Sequence, residues 1–484
     1  MDSTRLSPAL LLVLLAGACA DPTGESATET SDATLSTSAA TATTVTTAGT
    51  SSASAGSTGG DSDSDSDSTT ATTTGASTST STTDATSTTD AETSTTGPEP
   101  ELGPLRVDPQ HPAWLSRDNY GPMFICGPGD PEGFLFRGAL LGDGTRDGDQ
   151  DALIAKLAPT GANAIYFQAV RSHGGDGDAT HNPFLGNDPK NGLNPAVLDQ
   201  WEGWLTALSD AGVVPFFFIY DDSADPWKTG AQVSAAEAEF VGQLVDRFAD
   251  LPLLVWVVAE EYGEVLPPAR VSGIAAVIRE HDPVHPIGVH QNHGLGFDFA
   301  ADPNIDEFAI QYNVGSAAEL RAGVTQAFTA AAGAYNLNLS EAADWGSGAT
   351  HRRKSWAVAT AGAYVMVLGM DIASTPEADL EACGHLVDLF EATPEFVTMA
   401  PRDDLGLTPG SYVFAAPGDA YLVYASGSQS VGVGGLTPGS YALRWLDPAT
   451  GAIVEAAADV AENQATWPKP AEFGDEVALA VVRQ

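Results

Sequence analysis

Residues 213–220 read VVPFFFIY, and residues 251–264 read LPLLVWVVAEEYGE. Each run carries apolar side chains on both of its alternating faces and then stops at carboxylates: Asp221 and Asp222 after the first, Glu260 and Glu261 after the second. Strands of this composition are buried on both sides, as in a parallel sheet covered by helices. Working outward, similar runs recur at Ala164–Val170, Ile287–His290, Phe308–Tyr312, Asn336–Ser340 and Ala363–Leu368, with Phe124–Cys126 or Phe134–Arg137 as the first.

Helix-period segments lie between them. Asn194 caps a helix that has Pro195 in its first turn, and Val197, Leu198, Trp201, Trp204, Leu205 and Leu208 fall on one stripe. Ser234 and Glu237 have capping-box spacing ahead of Phe240, Val241, Leu244, Val245 and Phe248. About eight strand–helix alternations in roughly 280 residues match an α/β fold of the (β/α)8 TIM-barrel type, for which ~250 residues is typical. A doubly wound sheet fits less well, because no Gly-x-Gly-x-x-Gly follows the first strand and no phosphate loop occurs. The barrel is expected over residues 104–400. Beyond it, SYVFAAPGDAYLVYASG (411–427) and GSYALRWLDPATGAIVEA (439–456) read as hairpins and EVALAVV (476–482) as a last strand, which predicts an all-β sandwich over 401–484.

The N-terminal fifth has a different composition. Arg5 precedes the apolar run Ala9–Leu15, which is too short to span a bilayer and suits a signal peptide over residues 1–19. The segment LLAGAC resembles a bacterial lipobox, predicting lipidation at Cys19 and a location at the outer membrane or cell surface, held only by that anchor. Residues 20–103 are mostly Ser, Thr, Ala, Gly and Asp, with no base and no aromatic residue, and predict a disordered solvated tether. The whole chain of 484 residues has 64 acids against 20 bases, a net charge of −44. Counting only from residue 104, 50 acids and 19 bases leave −31. Such a surface excludes nucleic acid as a partner, because phosphate binding needs a basic face. It suits a soluble, exported monomer. Cys126 and Cys383 lie in apolar surroundings; export permits a disulfide between them, and two buried thiols fit the sequence equally well.

In a barrel of this type the chemistry lies at the C-terminal ends of the strands. Polar residues gather there: Gln168, Arg171 and His173; Asp221 and Asp222; Glu260, Glu261 and Tyr262; His290, Gln291, Asn292 and His293; Gln311, Tyr312 and Asn313; Glu341 with Asp344 and Trp345; and Asp371. An Asp after a strand is often only a helix cap. Glu260-Glu261 and Glu341 stand out because each closes a buried run. Carboxylates facing each other across a barrel mouth suit glycoside hydrolysis, in which one protonates the leaving oxygen and the other attacks the anomeric carbon or activates water. Tyr262, Tyr312 and Trp345 suit stacking on sugar rings or packing of the rim. Metal hydrolysis is the competing chemistry. His285, His290, His293 and the stretch RSHGGDGDATH (171–181) offer ligands, the latter also for a calcium ion, but His-Glu-x-x-His is absent and no His-x-His opens the first strand. No Gly-x-Ser-x-Gly elbow occurs. The expectation is therefore a carbohydrate substrate with no metal and no cofactor.

At these residues the sequence resembles the apiosidase-like (β/α)8 glycoside hydrolases, relatives of a retaining clan with catalytic Glu residues after the fourth and seventh strands. VWVVAEEYGE (255–264) looks like the clan's Trp-rich fourth strand ending in Asn-Glu. That register implies Glu261 as acid/base and places Glu260 where the clan has an Asn that contacts the sugar 2-hydroxyl. Some members carry Asp at the acid position, so either Glu260 or Glu261 fits that role. NLNLSEAADWG (336–346) resembles the nucleophile segment and implies that role for Glu341, while HRRKSWAVATAGAYVMVLG (351–369) resembles the stretch that follows it. Arg171 matches the clan's second-strand Arg, and Tyr312 its sixth-strand Tyr, which orients the nucleophile. Substrate contacts are expected from Arg171, His173, Asp221, Tyr262, His290, Asn292, Tyr312 and Trp345. YALRWLDPATGAIVE (441–455) resembles a small sandwich that carries a collagen-binding label in such proteins. The departure at Glu260 leaves an alternative, a catalytically silent carbohydrate-binding protein on a degenerate hydrolase barrel.

Overall fold

The computed structural model describes residues 102–129, 133–292, 294–367 and 371–484. The leader, Cys19 and all but the last two residues of the 20–103 stretch lie outside the described residues, as do His293 and Leu368. Eight parallel strands form a barrel: β1 (Cys126–Pro128), β2 (Ala164–Val170), β3 (Val214–Tyr220), β4 (Val255–Ala259), β5 (Ile287–Gln291), β6 (Glu307–Gln311), β7 (Asn336–Glu341) and β8 (Tyr364–Val367). Hydrogen-bonded neighbours run β1–β8–β7–β6–β5–β4–β3–β2. The helices around them are α1 (Gln150–Leu157), α2 (Pro195–Asp210), α3 (Ala235–Phe248), α4 (Pro268–His281), α5 (Ala317–Ala331), α6 (Ala349–Ala359) and α7 (Glu377–Glu391).

Two expectations change in detail. The stretch Phe134–Phe136 is a buried 3-10 turn, so the first strand is the one that begins at Cys126. Among the described residues no helix intervenes between β5 and β6. Aromatic packing covers the sheet there instead, with Phe297 stacked on Phe308 at 4.7 Å and 4.9 Å from the Tyr335 ring.

The remaining gap in the ladder, between β1 and β2, is bridged by one residue through its backbone and its side chain. Asn163 donates its backbone N–H to the Cys126 carbonyl at 2.9 Å. Its Oδ1 accepts from the Cys126 N–H at 3.0 Å, and its Nδ2 donates to the Phe124 carbonyl at 2.7 Å. Gly127 permits this approach, since a Cβ there would lie 2.1 Å from the Ala164 carbonyl oxygen. Cys126 and Cys383 form a disulfide with Cα atoms 5.4 Å apart, tying β1 to α7 across 257 residues; the pairing left open by the sequence is a bridge.

The helix reading holds for α2: the Asn194 side chain accepts from the Ala196 N–H, and the predicted stripe is buried. In α3 only half of the capping box forms. Ser234 Oγ accepts from the Glu237 N–H at 3.1 Å, but the Glu237 side chain turns inward, fully buried. There its carboxylate meets Arg270 of α4 at 2.9 Å and the Tyr220 hydroxyl at 3.1 Å, and Arg270 reaches on to Asp225 at 2.8 Å. A charged partner in the core outweighs the cap, because a buried carboxylate is tolerated only when paired.

The C-terminal sheet has six strands, in the order Ala400–Pro401, Tyr412–Ala416, Ala420–Ser426, Glu476–Arg483, Gly439–Leu446 and Ile453–Val460, and the pair Ser430–Gly434 and Gln464–Pro468 lies beyond it. Strand alternation divides its side chains. Phe414, Leu422, Tyr424 and Ala478 join the barrel core, while Val413, Tyr421, Val423 and Leu479 form a core with Val431 and Val433. Trp356 of α6 stacks on Tyr424 at 5.6 Å, and Arg321 of α5 pairs with Asp403 at 2.6 Å. No helix among the described residues is long and apolar enough to cross a membrane.

Candidate active site

At the end of β4 the carboxyl groups of Glu260 and Glu261 point in different directions, and Glu261 adopts left-handed backbone angles, φ 36° and ψ 46°. A non-glycine residue in that region is strained and needs its surroundings to hold it. Part of that hold is a hydrogen bond from the Glu261 N–H to Nδ1 of His290, at 3.2 Å. Glu260 faces the ends of β2 and β3, where Gln168 Nε2 donates to its Oε2 at 2.6 Å. Arg171 Nη1 donates to Gln168 Oε1 at 3.1 Å, and Arg171 Nη2 lies 3.8 Å from Asp221 Oδ2.

Glu261 faces the other way, toward β6 and β7. Gln311 Nε2 donates to its Oε1. Gln311 is also the register partner of Glu341, whose Oε1 accepts from Asn313 Nδ2 at 3.1 Å. The end of β6 thus supports both carboxyl groups with amides. Burial, and next the negative charge of Glu341, push Glu261 up to about 7, against the lowering effect of the Gln311 hydrogen bond; Glu264 adds a further upward push. His290 is fully buried and is pushed down to about 4 by that burial, while Glu341 pulls it the other way. Because its Nδ1 accepts a backbone N–H, a neutral His290 carries its proton on Nε2, which has no partner among the described residues.

The predicted site residues therefore divide. Glu261, Glu341 and His290 form one group, and Glu260, Arg171 and Asp221 form a second on the adjoining strand ends. His173 follows β2 with φ 65°, its ring against Phe184 at 6.2 Å, and burial lowers its pKa. Asn292 is half-buried directly after β5. The three aromatics are held in packing. Tyr262 is buried with its hydroxyl on Asp298 and its ring against Phe299, and Trp345 donates Nε1–H to His351 Nδ1 at 2.8 Å. Tyr312 packs on α5, where a Cβ on Gly323 would meet its ring at 2.4 Å. The hydrogen bond to the Glu341 carboxyl comes from the next residue, Asn313. Gln168, Gln311 and Asn313 were visible as polar strand ends but not as holders of the carboxyl groups. The usable signal was alternation, since Gln311 and Asn313 flank the outward-turned Tyr312. His285 bonds Asp282 at 2.7 Å before the start of β5, at the opposite end of that strand from His290. No three His, Cys, Asp or Glu side chains among the described residues are grouped to hold a cation.

No family model and no curated protein matches the chain. Solved structures do. A protein solved as a glycoside hydrolase aligns with TM-score 0.60 at 15% identity, covering 79% of this chain and 97% of that one. A family 5 glycoside hydrolase from Bacteroides vulgatus aligns with TM-score 0.58 at 13% identity, covering 79% and 93%. The chain shares its fold with glycoside hydrolases. In this glycoside hydrolase-type barrel the Glu261–Glu341 group lies at the C-terminal strand ends, the face on which such barrels carry their sites.

Proposed function

We propose that the chain hydrolyses O-glycosidic bonds in uncharged poly- or oligosaccharides, with Glu341 as nucleophile and Glu261 as acid/base. The observation that carries this reading is the asymmetric carboxyl pair. Glu261 holds its proton to about 7 partly because Glu341 is charged beside it, while Glu341 takes an amide hydrogen bond suited to a carboxylate. In the first step a Glu341 oxygen bonds to the anomeric carbon, the bond from that carbon to the bridging oxygen breaks, and the Glu261 proton passes to the departing oxygen. Water then gives a proton to Glu261 and its oxygen to the anomeric carbon, releasing Glu341. An uncharged glycan fits because Asp222, Glu264 and Glu341 repel anions and Arg171 is already engaged by Gln168 and Asp221. Retention, the apiosidase-like subtype, export and lipid anchoring at Cys19 belong to the same proposal and rest on the sequence.

The test is a panel of neutral and acidic polysaccharides assayed with wild type and Glu341→Gln. Hydrolysis of a neutral glycan, lost in the variant, supports the reading, and NMR of the first-formed anomer reports retention or inversion. Glu260 at the position of the clan's Asn favours the second reading, a silent carbohydrate-binding barrel. Binding without turnover, unchanged in Glu341→Gln, would select it.

A further inference from the structure

Just past β4 the backbone N–H groups change partner from one residue to the next. Glu260 donates to the Tyr220 carbonyl of β3 at 3.0 Å, continuing the sheet. The Glu261 N–H turns to the strand on the other side and meets a side chain, Nδ1 of His290 at 3.2 Å. His290 lies within β5, in register with Ala309 of β6, and its fully buried ring stands edge-on to Phe218 at 6.4 Å. An acceptor fixed in this way cannot follow its donor, so the Glu261 backbone must come to it. The other contacts of Glu261 are local or flexible. Its carbonyl accepts the Glu264 N–H at 3.0 Å in the turn that follows, and Gln311 reaches its carboxyl with a side-chain amide. A non-glycine residue at φ 36° is strained and keeps that angle only while its contacts outweigh the strain.

We propose that His290 is the positioning residue of the acid/base: by accepting the Glu261 N–H it locks the left-handed turn that keeps the Glu261 carboxyl beside Gln311 and Glu341. It acts through the Glu261 backbone and not on the sugar, since its Nε2 is shielded from solvent and has no partner among the described residues. The charged groups facing the pair are Glu341, which acts on both, and Glu264, which acts on Glu261. The name acid/base rests on the hydrolase reading; the hydrogen bond and the turn it locks do not.

Carbon-13 NMR of labelled glutamate carboxyls in the intact chain tests the proposal, with the Glu261 signal assigned by its loss in Glu261→Gln. In the wild type that carboxyl is expected to titrate at about 7. His290→Leu removes the acceptor and keeps a buried side chain. Its Glu261 midpoint is expected to fall by roughly one unit or more, as the turn relaxes and the carboxyl leaves Glu341 for solvent. A ring that only fills space gives the opposite sign, because an apolar neighbour disfavours the charged form. His290→Asn, whose Oδ1 can stand in for Nδ1, is expected to hold the wild-type midpoint. A midpoint unmoved or raised in His290→Leu overturns the proposal. If that variant does not fold, nitrogen-15 NMR of the wild-type histidines decides. At neutral pH a bare Nδ1 and a protonated Nε2 on His290 support the proposal, and a proton on Nδ1 overturns it. Neither measurement needs a substrate. If the chain turns over a glycan, kcat is expected to fall about 10–10²-fold in His290→Leu and to recover in His290→Asn. Absence of turnover on every glycan removes the hydrolase reading and leaves the NMR results standing.

Discussion

Glu261 combines a left-handed backbone with a proton held to about 7. In the proposed role of acid it must be protonated for the first step, so kcat/KM is expected to fall as pH rises through about 7, measured as a pH–rate profile. Glu261→Gln should lower kcat by about 10²–10⁴-fold on substrates with poor leaving groups. The neighbouring positions offer a sharper contrast. Tyr312→Phe should leave kcat within about twofold, because the ring packs on α5, whereas Asn313→Ala removes a hydrogen bond to a charged group, worth about 1.5–3 kcal/mol, and should cost about 10–10²-fold. At this scale the sequence was legible where a carboxylate ends an apolar run, which marked Glu260, Glu261 and Glu341. The different partners of Glu260 and Glu261 were not, because Gln168 and Gln311 reach them from strands far away in the sequence.

Strands and helices were legible through periodicity, and their interactions were less so. Glu237 has the spacing of a cap and becomes a core anion because Arg270, 33 residues on, arrives from the next helix. Arg270→Met should destabilise the protein by about 3–5 kcal/mol in urea unfolding by leaving that carboxylate unpaired, and Glu237→Met added to it should recover most of the loss. Glu307 opens β6 fully buried, pushed up to about 8 chiefly by desolvation, with no hydrogen-bond partner for its Oε2 among the described residues. Its unfolded counterpart ionises near 4.5, so between 4.5 and about 8 the unfolded chain has released a proton that the folded chain keeps. This group's contribution therefore falls with rising pH by about 1.4 kcal/mol per unit across that window and levels off above it. Glu307→Gln should flatten that part of the pH dependence in denaturant titrations, and its added N–H groups face a strand neighbour, Asn338, whose Oδ1 has no partner among the described residues.

Over the whole molecule, the order of barrel and sandwich was readable, and their joining was not. Nothing in residues 411–427 announces that Phe414 and Leu422 pack into the barrel while Val413 and Val423 pack away from it; that follows only when α5, α6 and α7 are in place. The bridge from Cys126 to Cys383 was equally hidden, because two cysteines 257 residues apart pair only once β1 lies beside α7. Cys383→Ser should cost roughly 2–5 kcal/mol, seen as a lower Tm under oxidising conditions and no change under reducing ones.

The six-stranded sheet has neither face to itself, and this bears on how such a protein can change over generations. A module with one free surface can be traded between genes and trimmed afterwards. Here a substitution at Phe414 is judged by the barrel and one at Val413 by the far sheet, on adjacent residues of the same strand. Barrel and sheet must therefore be inherited, recombined and engineered as one piece, and under the proposed function a change of sugar preference is more easily reached through the loops at the mouth than by exchanging the C-terminal part.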